Sequence, residues 1–153
     1  AERVKRNVRP VALVPGVDGR KMSKSYGNAI YFFAEEKELK KSVMSIVTDS
    51  MGVNDPKDPE TSVLYQISSL FLDAQARAVL QDRFRTPGTG YGDLKKELLA
   101  RILDHFAPFR KRRADLLAKP DDVRDILKMG AQKARTAAMP FLEKARAAVG
   151  LVY

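Results

Sequence analysis

The chain has 153 residues, of which 44% are hydrophobic, and this is sufficient for one compact domain with a core. It contains no cysteine and one histidine, His105, which excludes a disulfide framework, a cysteine-ligated metal site and a histidine-rich metal site. No apolar run is long enough to cross a bilayer and no signal peptide is recognisable, so we expect a soluble, intracellular protein.

The net charge of +9 is unevenly distributed along the chain. Residues 1–24 carry seven basic and two acidic side chains, and residues 101–153 carry twelve basic and six acidic side chains. The segment between them, 25–100, has nine basic and eleven acidic residues. The positive charge therefore lies at the two ends, which indicates two contacts with a polyanion, although many soluble domains are mildly basic without binding one.

The first predicted element is a short strand. Val11–Val14 is an apolar run bounded by Pro10 and by Pro15-Gly16, which favours a buried strand over a helix. A polar loop, "VDGRKMSKSYGN" at 17–28, follows it. A single strand has no partner in such a chain, so we expect this segment to belong to a larger fold.

Everything after the loop is predicted to be helical, in five to seven helices. Apolar spacing predicts a helix over 35–47 and a second one that begins with Asp58 as N-cap and Pro59 in its first turn. Over 74–84 it predicts either a further helix or an extension of the second. After a glycine-rich loop, "RTPGTGYGD", a helix begins at Asp93 and is predicted to end or kink at Pro108. A last helix begins at Pro120 and ends near Gly150.

Two lysines on a loop flanked by glycines suit the binding of phosphate. Lys21 and Lys24 are compact charges with three donors each, and positioned cations stabilise the charge that develops on a departing phosphate. Ser23 and Ser25 can donate hydroxyl hydrogen bonds to the same oxygens. A solvated basic turn is the alternative interpretation of such a lysine pair.

Several segments of the chain resemble one family. "KMSKS" at 21–25 matches the second fingerprint of class I aminoacyl-tRNA synthetases. Together with "PGVDGRKMSKSYGN", "TDS" at 48–50, "YGDLKKEL" at 91–98, "PFRKRRADLL" at 108–117 and "GAQKAR" at 130–135, it is similar to the C-terminal half of the bacterial tryptophanyl-tRNA synthetase family. The resemblance runs from about Arg9 to the end of the chain.

This resemblance implies a fold and an activity. The fold is mainly α: a helical bundle of the anticodon-binding type over 34–153, preceded over 1–33 by a short strand and loop that remain from a Rossmann-type catalytic domain. The family activates tryptophan with ATP and Mg²⁺ and transfers it to tRNA(Trp), as a cytoplasmic homodimer. The class also has a first fingerprint with two histidines, whereas this chain has only His105. We therefore expect a C-terminal part of a longer enzyme, inactive by itself.

The resemblance also implies roles for individual residues. Lys21 and Lys24 would be the catalytic cations that hold the β- and γ-phosphates of ATP and stabilise departing pyrophosphate. Ser23 and Ser25 would support the phosphates, and Met22 would lie near the adenosine. No protein-ligated metal site is predicted, because Mg²⁺ would arrive with ATP.

The basic third of the chain is the candidate surface for tRNA. Its cations include Arg110, Lys111, Arg112, Arg113 and Lys133. Such a density suits phosphate contacts, which position a nucleic acid without reading its bases. Simple solvation of a helical face is the alternative for any single residue. Two other functions stay open: a stand-alone nucleic-acid-binding or regulatory module derived from a synthetase, and a tyrosine-specific relative.

Overall fold

The computed structural model describes residues 13–151. The chain divides into two compact units, Ala1–Ala107 and Pro108–Tyr153. The predicted division after residue 33, between a catalytic-domain remnant and an anticodon-binding domain, stays a prediction, because compactness does not test the origin of a segment.

Helices account for most of the described residues, as the mainly α prediction requires. They are α1 (Glu36–Met44), α2 (Val63–Ser69), α3 (Ala74–Arg85), α4 (Tyr91–Leu117) and α5 (Pro120–Ala148), preceded by a single 3₁₀ turn at Lys24–Tyr26. No helix within residues 13–151 has the length and apolar character required to span a membrane.

The predicted strand at Val11–Val14 lies partly outside the described residues. Its described part, Leu13 and Val14, is not in a strand. An isolated antiparallel bridge joins Pro15 to Lys21 instead, and the Val14 carbonyl accepts a hydrogen bond of 2.9 Å from the Met22 amide. This segment is therefore a narrow hairpin in the part of the chain that the structure describes.

Side-chain caps define the starts of two helices. The Ser62 hydroxyl accepts from the Tyr65 amide at 3.2 Å and begins α2, and the Asp73 carboxylate accepts from the Ala76 amide at 2.8 Å and begins α3. Each cap satisfies one of the amides that the first turn of a helix leaves without an intrahelical partner. The prediction of a helix over 74–84 is thus confirmed within one residue.

The predicted start of the second helix at Asp58 is wrong. The Asp58 carboxylate accepts from the Glu60 amide at 3.0 Å and from the Thr61 hydroxyl at 2.8 Å, which closes a turn rather than a helix. Aspartate stabilises both structures through the same kind of local hydrogen bond, so the motif alone does not separate them. The helix begins four residues later, after Ser62.

Two predicted helix ends also differ. α1 ends at Met44 with Ser45 as its C-cap, so the buried Ile46 reaches the core from beyond the helix. α4 continues through Pro108 to Leu117, so the helix does not end at this proline, and the alternative of a kink there stays a prediction. Proline removes one intrahelical hydrogen bond, and the helical residues on both sides of it keep this long helix formed.

The first unit encloses an apolar core. Its buried residues are Ile30, Leu39, Val43, Ile46, Leu64, Ile67, Leu80, Phe84, Leu94, Leu98 and Ile102. They come from α1 to α4, from the segment just before α1 and, for Ile46, from the segment just after it. Phe84 is completely buried and meets the Tyr65 and Tyr91 rings edge to face, with centroids 5.4 and 6.4 Å apart. The core thus holds α2, α3 and the start of α4 around one aromatic ring.

The second unit contains the end of α4 and the whole of α5. α5 begins at Pro120, as predicted, with Asp121 and Asp122 in its first turn, where carboxylates suit the positive end of the helix dipole. It ends at Ala148, and Gly150 follows in the left-handed conformation, with φ at +75°. None of its residues is buried.

Candidate functional site

The loop predicted to bind phosphate, 17–28, forms the turn of the hairpin described above and the arm that follows it. The turn of this hairpin is closed by the Gly16 amide, which donates to the Arg20 carbonyl at 2.7 Å, and by the Gly19 amide, which donates to Gly16 at 3.0 Å. Gly19 has a φ of +82°, a conformation that side chains disfavour. Lys21 follows directly, at the bridge with Pro15.

Both lysines present their ammonium groups to solvent. Lys21 and Lys24 are exposed, and neither has a hydrogen bond or ion pair through its side chain among residues 13–151. Lys24 begins the 3₁₀ turn, which the Gly27 amide closes by donating to the Lys24 carbonyl at 3.2 Å. Lys21 therefore lies at the hairpin bridge and Lys24 on the adjacent 3₁₀ turn, and both ammonium groups are accessible to a ligand.

The remaining residues of the motif divide into a packed and an exposed set. Met22 packs its side chain against the core of the first unit, so it fixes the loop to the helices. The Ser23 and Ser25 hydroxyls lie 2.8 Å apart and hydrogen-bond to each other. This pair is a compact source of hydroxyl groups next to Lys24.

Sequence reasoning missed Asn28, which is the polar centre of this hairpin. It is only 2% exposed. Its side chain accepts from the Ser23 amide at 2.8 Å and donates to the Asp18 carboxylate at 2.7 Å and the Lys21 carbonyl at 3.1 Å. The one available signal was its place directly after Gly27, within the segment that carries the family resemblance.

Asp18 is held ionised at the edge of this network. The hydrogen bond from Asn28 is the main influence that holds the pKa of the Asp18 carboxyl below its ordinary value, and Arg20 acts in the same direction. Arg20 donates to Asp18 from its amide at 3.0 Å and from Nε at 2.7 Å. Its guanidinium also lies 4.9 Å from the centre of the Tyr26 ring, which links the hairpin turn to the 3₁₀ turn.

The turn of the hairpin is tied to the helices of the first unit. The Val47 amide, just beyond α1, donates to the Val17 carbonyl at 2.8 Å. A side chain at Gly19 would meet Val63, at the start of α2, at 3.1 Å. The turn is therefore held next to the end of α1 and the start of α2, while Lys21 and Lys24 stay exposed.

Two other segments from the family resemblance meet in the first unit. The Tyr91 hydroxyl, in "YGDLKKEL", donates to the Asp49 carboxylate of "TDS" at 2.8 Å. Burial is the main cause that raises the pKa of the Tyr91 phenol, and the Asp49 charge adds to it. Lys57 lies below the Tyr91 ring, almost fully buried, and donates to the carbonyls of Gly52 at 2.8 Å and Asp55 at 3.0 Å. This contact fixes the start of α4.

The predicted tRNA-binding cations lie in the second unit. Lys111, Arg112, Arg113 and Lys133 are exposed, and Arg110 is half-buried. Lys111 forms an ion pair of 3.0 Å with Asp115 one helical turn away, and Arg112 borders a cleft of about 370 Å³ with Lys119 and Ile126. The structure brings Lys111 and Arg112 to one helix turn, while Lys133 lies on α5.

The hairpin and the four helices of the first unit match a family of synthetases. A family model of class I tRNA synthetases (W and Y) matches residues 2–107, so the chain belongs to this family. The tryptophan–tRNA ligase of Fusobacterium nucleatum is 46% identical over 141 residues, which are 92% of this chain and 43% of that protein. The ligase of Campylobacter jejuni RM1221 is 44% identical over the same length and share of this chain.

Solved structures agree with the sequence comparison. The crystal structure of Campylobacter jejuni tryptophanyl-tRNA synthetase complexed with ADP and tryptophan superposes with a TM-score of 0.87 and 43% identity. The match covers 94% of this chain and 45% of that one. The predicted resemblance to the C-terminal half of the tryptophanyl-tRNA synthetase family is confirmed, and the chain spans less than half the length of these relatives.

Proposed function

We propose that this chain is the C-terminal part of a tryptophan–tRNA ligase, which activates tryptophan with ATP and charges tRNA(Trp). The observation that carries the proposal is the exposed KMSKS hairpin, in which the Lys21 and Lys24 ammonium groups have no partner among residues 13–151. The relatives named above act on tryptophan, and this favours tryptophan over tyrosine within the family. In the full-length protein we expect a cytoplasmic homodimer.

The chemistry follows from the charge that moves during adenylate formation. The tryptophan carboxylate attacks the α-phosphorus of ATP, the bond to the bridging oxygen breaks, and pyrophosphate leaves with the electron pair. Lys21 and Lys24 stabilise this leaving charge, and they contribute most in the transition state because the charge grows there. Ser23 and Ser25 donate to the phosphate oxygens, Met22 anchors the loop near the adenosine, and Mg²⁺ accompanies the ATP phosphates.

Tryptophan-dependent ATP–pyrophosphate exchange by the full-length protein tests this proposal. We expect Lys24→Ala to lower kcat/KM for ATP by about 100-fold, because removal of one donor to a developing oxyanion typically costs this much. Its Kd for tryptophan should be unchanged. The control is Lys40→Ala, an exposed lysine of α1 that should leave exchange unaffected. Absence of exchange in the unsubstituted protein, or an unaltered rate in Lys24→Ala, would refute the proposal.

We also propose that the basic helices of the second unit contact tRNA phosphates. Exposed Lys111, Arg112, Arg113 and Lys133, together with Arg110, concentrate positive charge there. Each phosphate contact contributes about 0.9 to the slope of log K against log salt for a duplex. We expect Arg112→Ala to reduce this slope by about 1 relative to Lys40→Ala. A salt-independent affinity would contradict phosphate contacts.

The same experiments test the alternative of a stand-alone nucleic-acid-binding module. Such a module would show the salt-dependent tRNA binding but no exchange activity in any form of the protein. The basic second unit is the feature that favours it.

A further inference from the structure

We propose that Asn28 is a positioning residue of the phosphate-binding loop, and that its buried amide sets the geometry in which Lys21 meets the phosphates. This inference rests on the proposed function, because it assigns a role within the same site. Asn28 lies outside the KMSKS motif, and its side chain is buried. It acts through the backbone of the motif.

The amide of Asn28 spans the centre of the motif. Its oxygen accepts from the Ser23 amide and its nitrogen donates to the Lys21 carbonyl, so one side chain holds the peptide groups on both sides of Met22. The second hydrogen of the nitrogen goes to Asp18. A carboxamide has two donor hydrogens and one acceptor oxygen, and all three functions are used here.

Asp18 fixes which way this amide points. A carboxylate only accepts hydrogen bonds, and the Ser23 amide only donates them. A reversed Asn28 amide would face oxygen towards the Asp18 carboxylate and NH₂ towards the Ser23 N–H. The hairpin thus selects one orientation, and Arg20 holds Asp18 in place from the other side through two hydrogen bonds.

Asn28 packs directly against the backbone at Gly16. A methyl group at Gly16 would lie 2.4 Å from both Cγ and Nδ2 of Asn28, so the glycine backbone is pressed against the amide. The Asn28 carbonyl also accepts from the Val17 amide at 3.0 Å, which holds the residue to the first arm of the hairpin. The first half of the motif is therefore fixed by a tightly enclosed side chain.

The second half of the motif is held differently. Lys24, Ser25 and Tyr26 form the 3₁₀ turn, which contains no buried residue. Within residues 13–151, it is held by the hydrogen bond from the Gly27 amide to the Lys24 carbonyl and by the bond between the Ser23 and Ser25 hydroxyls. We infer that Asn28 holds Lys21 and Ser23 in place while Lys24 can adjust to the phosphates.

The test is an isosteric substitution, Asn28→Asp, in the full-length protein. It keeps the acceptor for the Ser23 amide, removes both donor hydrogens and places a second carboxylate next to Asp18. With two hydrogen bonds lost, we expect the KM for ATP in pyrophosphate exchange to rise about 10- to 100-fold. The Kd for tryptophan should change less than 2-fold. Asn54→Asp makes the same chemical change at an exposed turn and should leave both constants unchanged.

A double variant separates positioning from general destabilisation. Asp18→Asn with Asn28→Asp removes the pair of facing carboxylates and lets the amide at position 18 donate to the carboxylate at position 28, at the expense of the Arg20 amide, which shares the same Asp18 oxygen as acceptor. We expect it to recover at least 5-fold of the loss in the KM for ATP. If it is no better than Asn28→Asp, or if the affinities for ATP and tryptophan fall together, the positioning role is refuted.

Hydrogen exchange gives a readout that requires no ATP chemistry. In Asn28→Asp, the amide hydrogens of residues 21–25 should exchange at least 10-fold faster than in the unsubstituted protein, whereas those of α3 should be unchanged. Faster loop exchange without any ligase activity in the unsubstituted protein would refute the proposed function but retain the contact that Asn28 makes. Unchanged loop exchange would refute the inference itself.

Discussion

Gly16→Ala is the most direct test of the packing beneath the KMSKS loop. The new Cβ would lie 2.4 Å from Asn28 Cγ and Nδ2 and 2.8 Å from Asn28 Cβ. Ordinary contacts between such atoms are about 3.5–4.0 Å, so about 1 Å of space is missing. Asn28 is buried and cannot rotate away without losing its three side-chain hydrogen bonds.

The magnitude follows from the two ways in which the hairpin can respond. Keeping Asn28 in place costs about 1–3 kcal/mol of overpacking. Expelling it loses three hydrogen bonds of about 1 kcal/mol each. The easier response decides, so we expect the hairpin to lose about 1–3 kcal/mol of stability. Since 1.4 kcal/mol is a factor of about 10, amide exchange of residues 16–28 should accelerate by about 5- to 150-fold.

The matched control is Gly92→Ala in the first turn of α4. Nothing lies within 4 Å of a Cβ at Gly92, and the residue is exposed. Alanine should therefore stabilise the helix by about 0.5–1 kcal/mol. The stability of the hairpin and of the whole protein in both variants is measured by hydrogen exchange with mass spectrometry and by chemical denaturation. If the two variants change stability equally, or if amide exchange of the hairpin is unchanged in Gly16→Ala, the close packing of Asn28 against Gly16 is refuted.

Three further substitutions test the support of the hairpin. Phe84→Ala leaves a cavity at the centre of the core and should lower the free energy of unfolding by about 3–5 kcal/mol. An unchanged midpoint of chemical denaturation would contradict the placement of Phe84 in the core. Tyr91→Phe removes the hydrogen bond to Asp49 and should cost about 1 kcal/mol at neutral pH. Because the pKa of Tyr91 is raised in the folded state, the unfolded chain releases this proton first, so stability falls as pH rises above about 10. Thermal unfolding of Tyr91→Phe should depend less on pH in that range, and an equal dependence would disprove the assignment. Glu97→Gln breaks an ion pair with Arg83 that has two hydrogen bonds of 2.8 Å and side chains about 40% exposed. The free energy of unfolding should fall by at most about 1 kcal/mol, and by less at high salt. A fall of more than about 2 kcal/mol would show that solvent does not screen the pair.

Helical character was predictable because local features control it. Apolar spacing placed α1, α3 and α4, and the Pro120 start placed α5, each near its observed position. The starts and ends were less predictable where two local structures compete for one residue. Asp58 closes a turn while Ser62 caps α2, and both residue types stabilise both structures.

The candidate site was predictable where it is exposed and not where it is buried. The glycines and the two lysines of the motif indicated a solvent-facing basic loop, and the family resemblance favoured phosphate binding over a solvated turn. Asn28 gave no such signal, since an isolated asparagine after a glycine is typical of any turn. Its importance depends on Asp18, ten residues earlier, and on Gly16, both of which reach it only when the hairpin closes.

By itself, the sequence determined the helical character, the basic ends and the exposed loop, because each of these depends on residue type and short-range spacing. Only the tertiary structure decided that Asn28 is enclosed, that Tyr91 meets Asp49 across 42 residues of sequence, and that Lys57 is buried. Such contacts depend on how distant segments pack, and chain spacing does not encode them. The motif VDGRKMSKSYGN is therefore a phosphate-binding candidate by sequence and a hairpin held by one buried amide by structure.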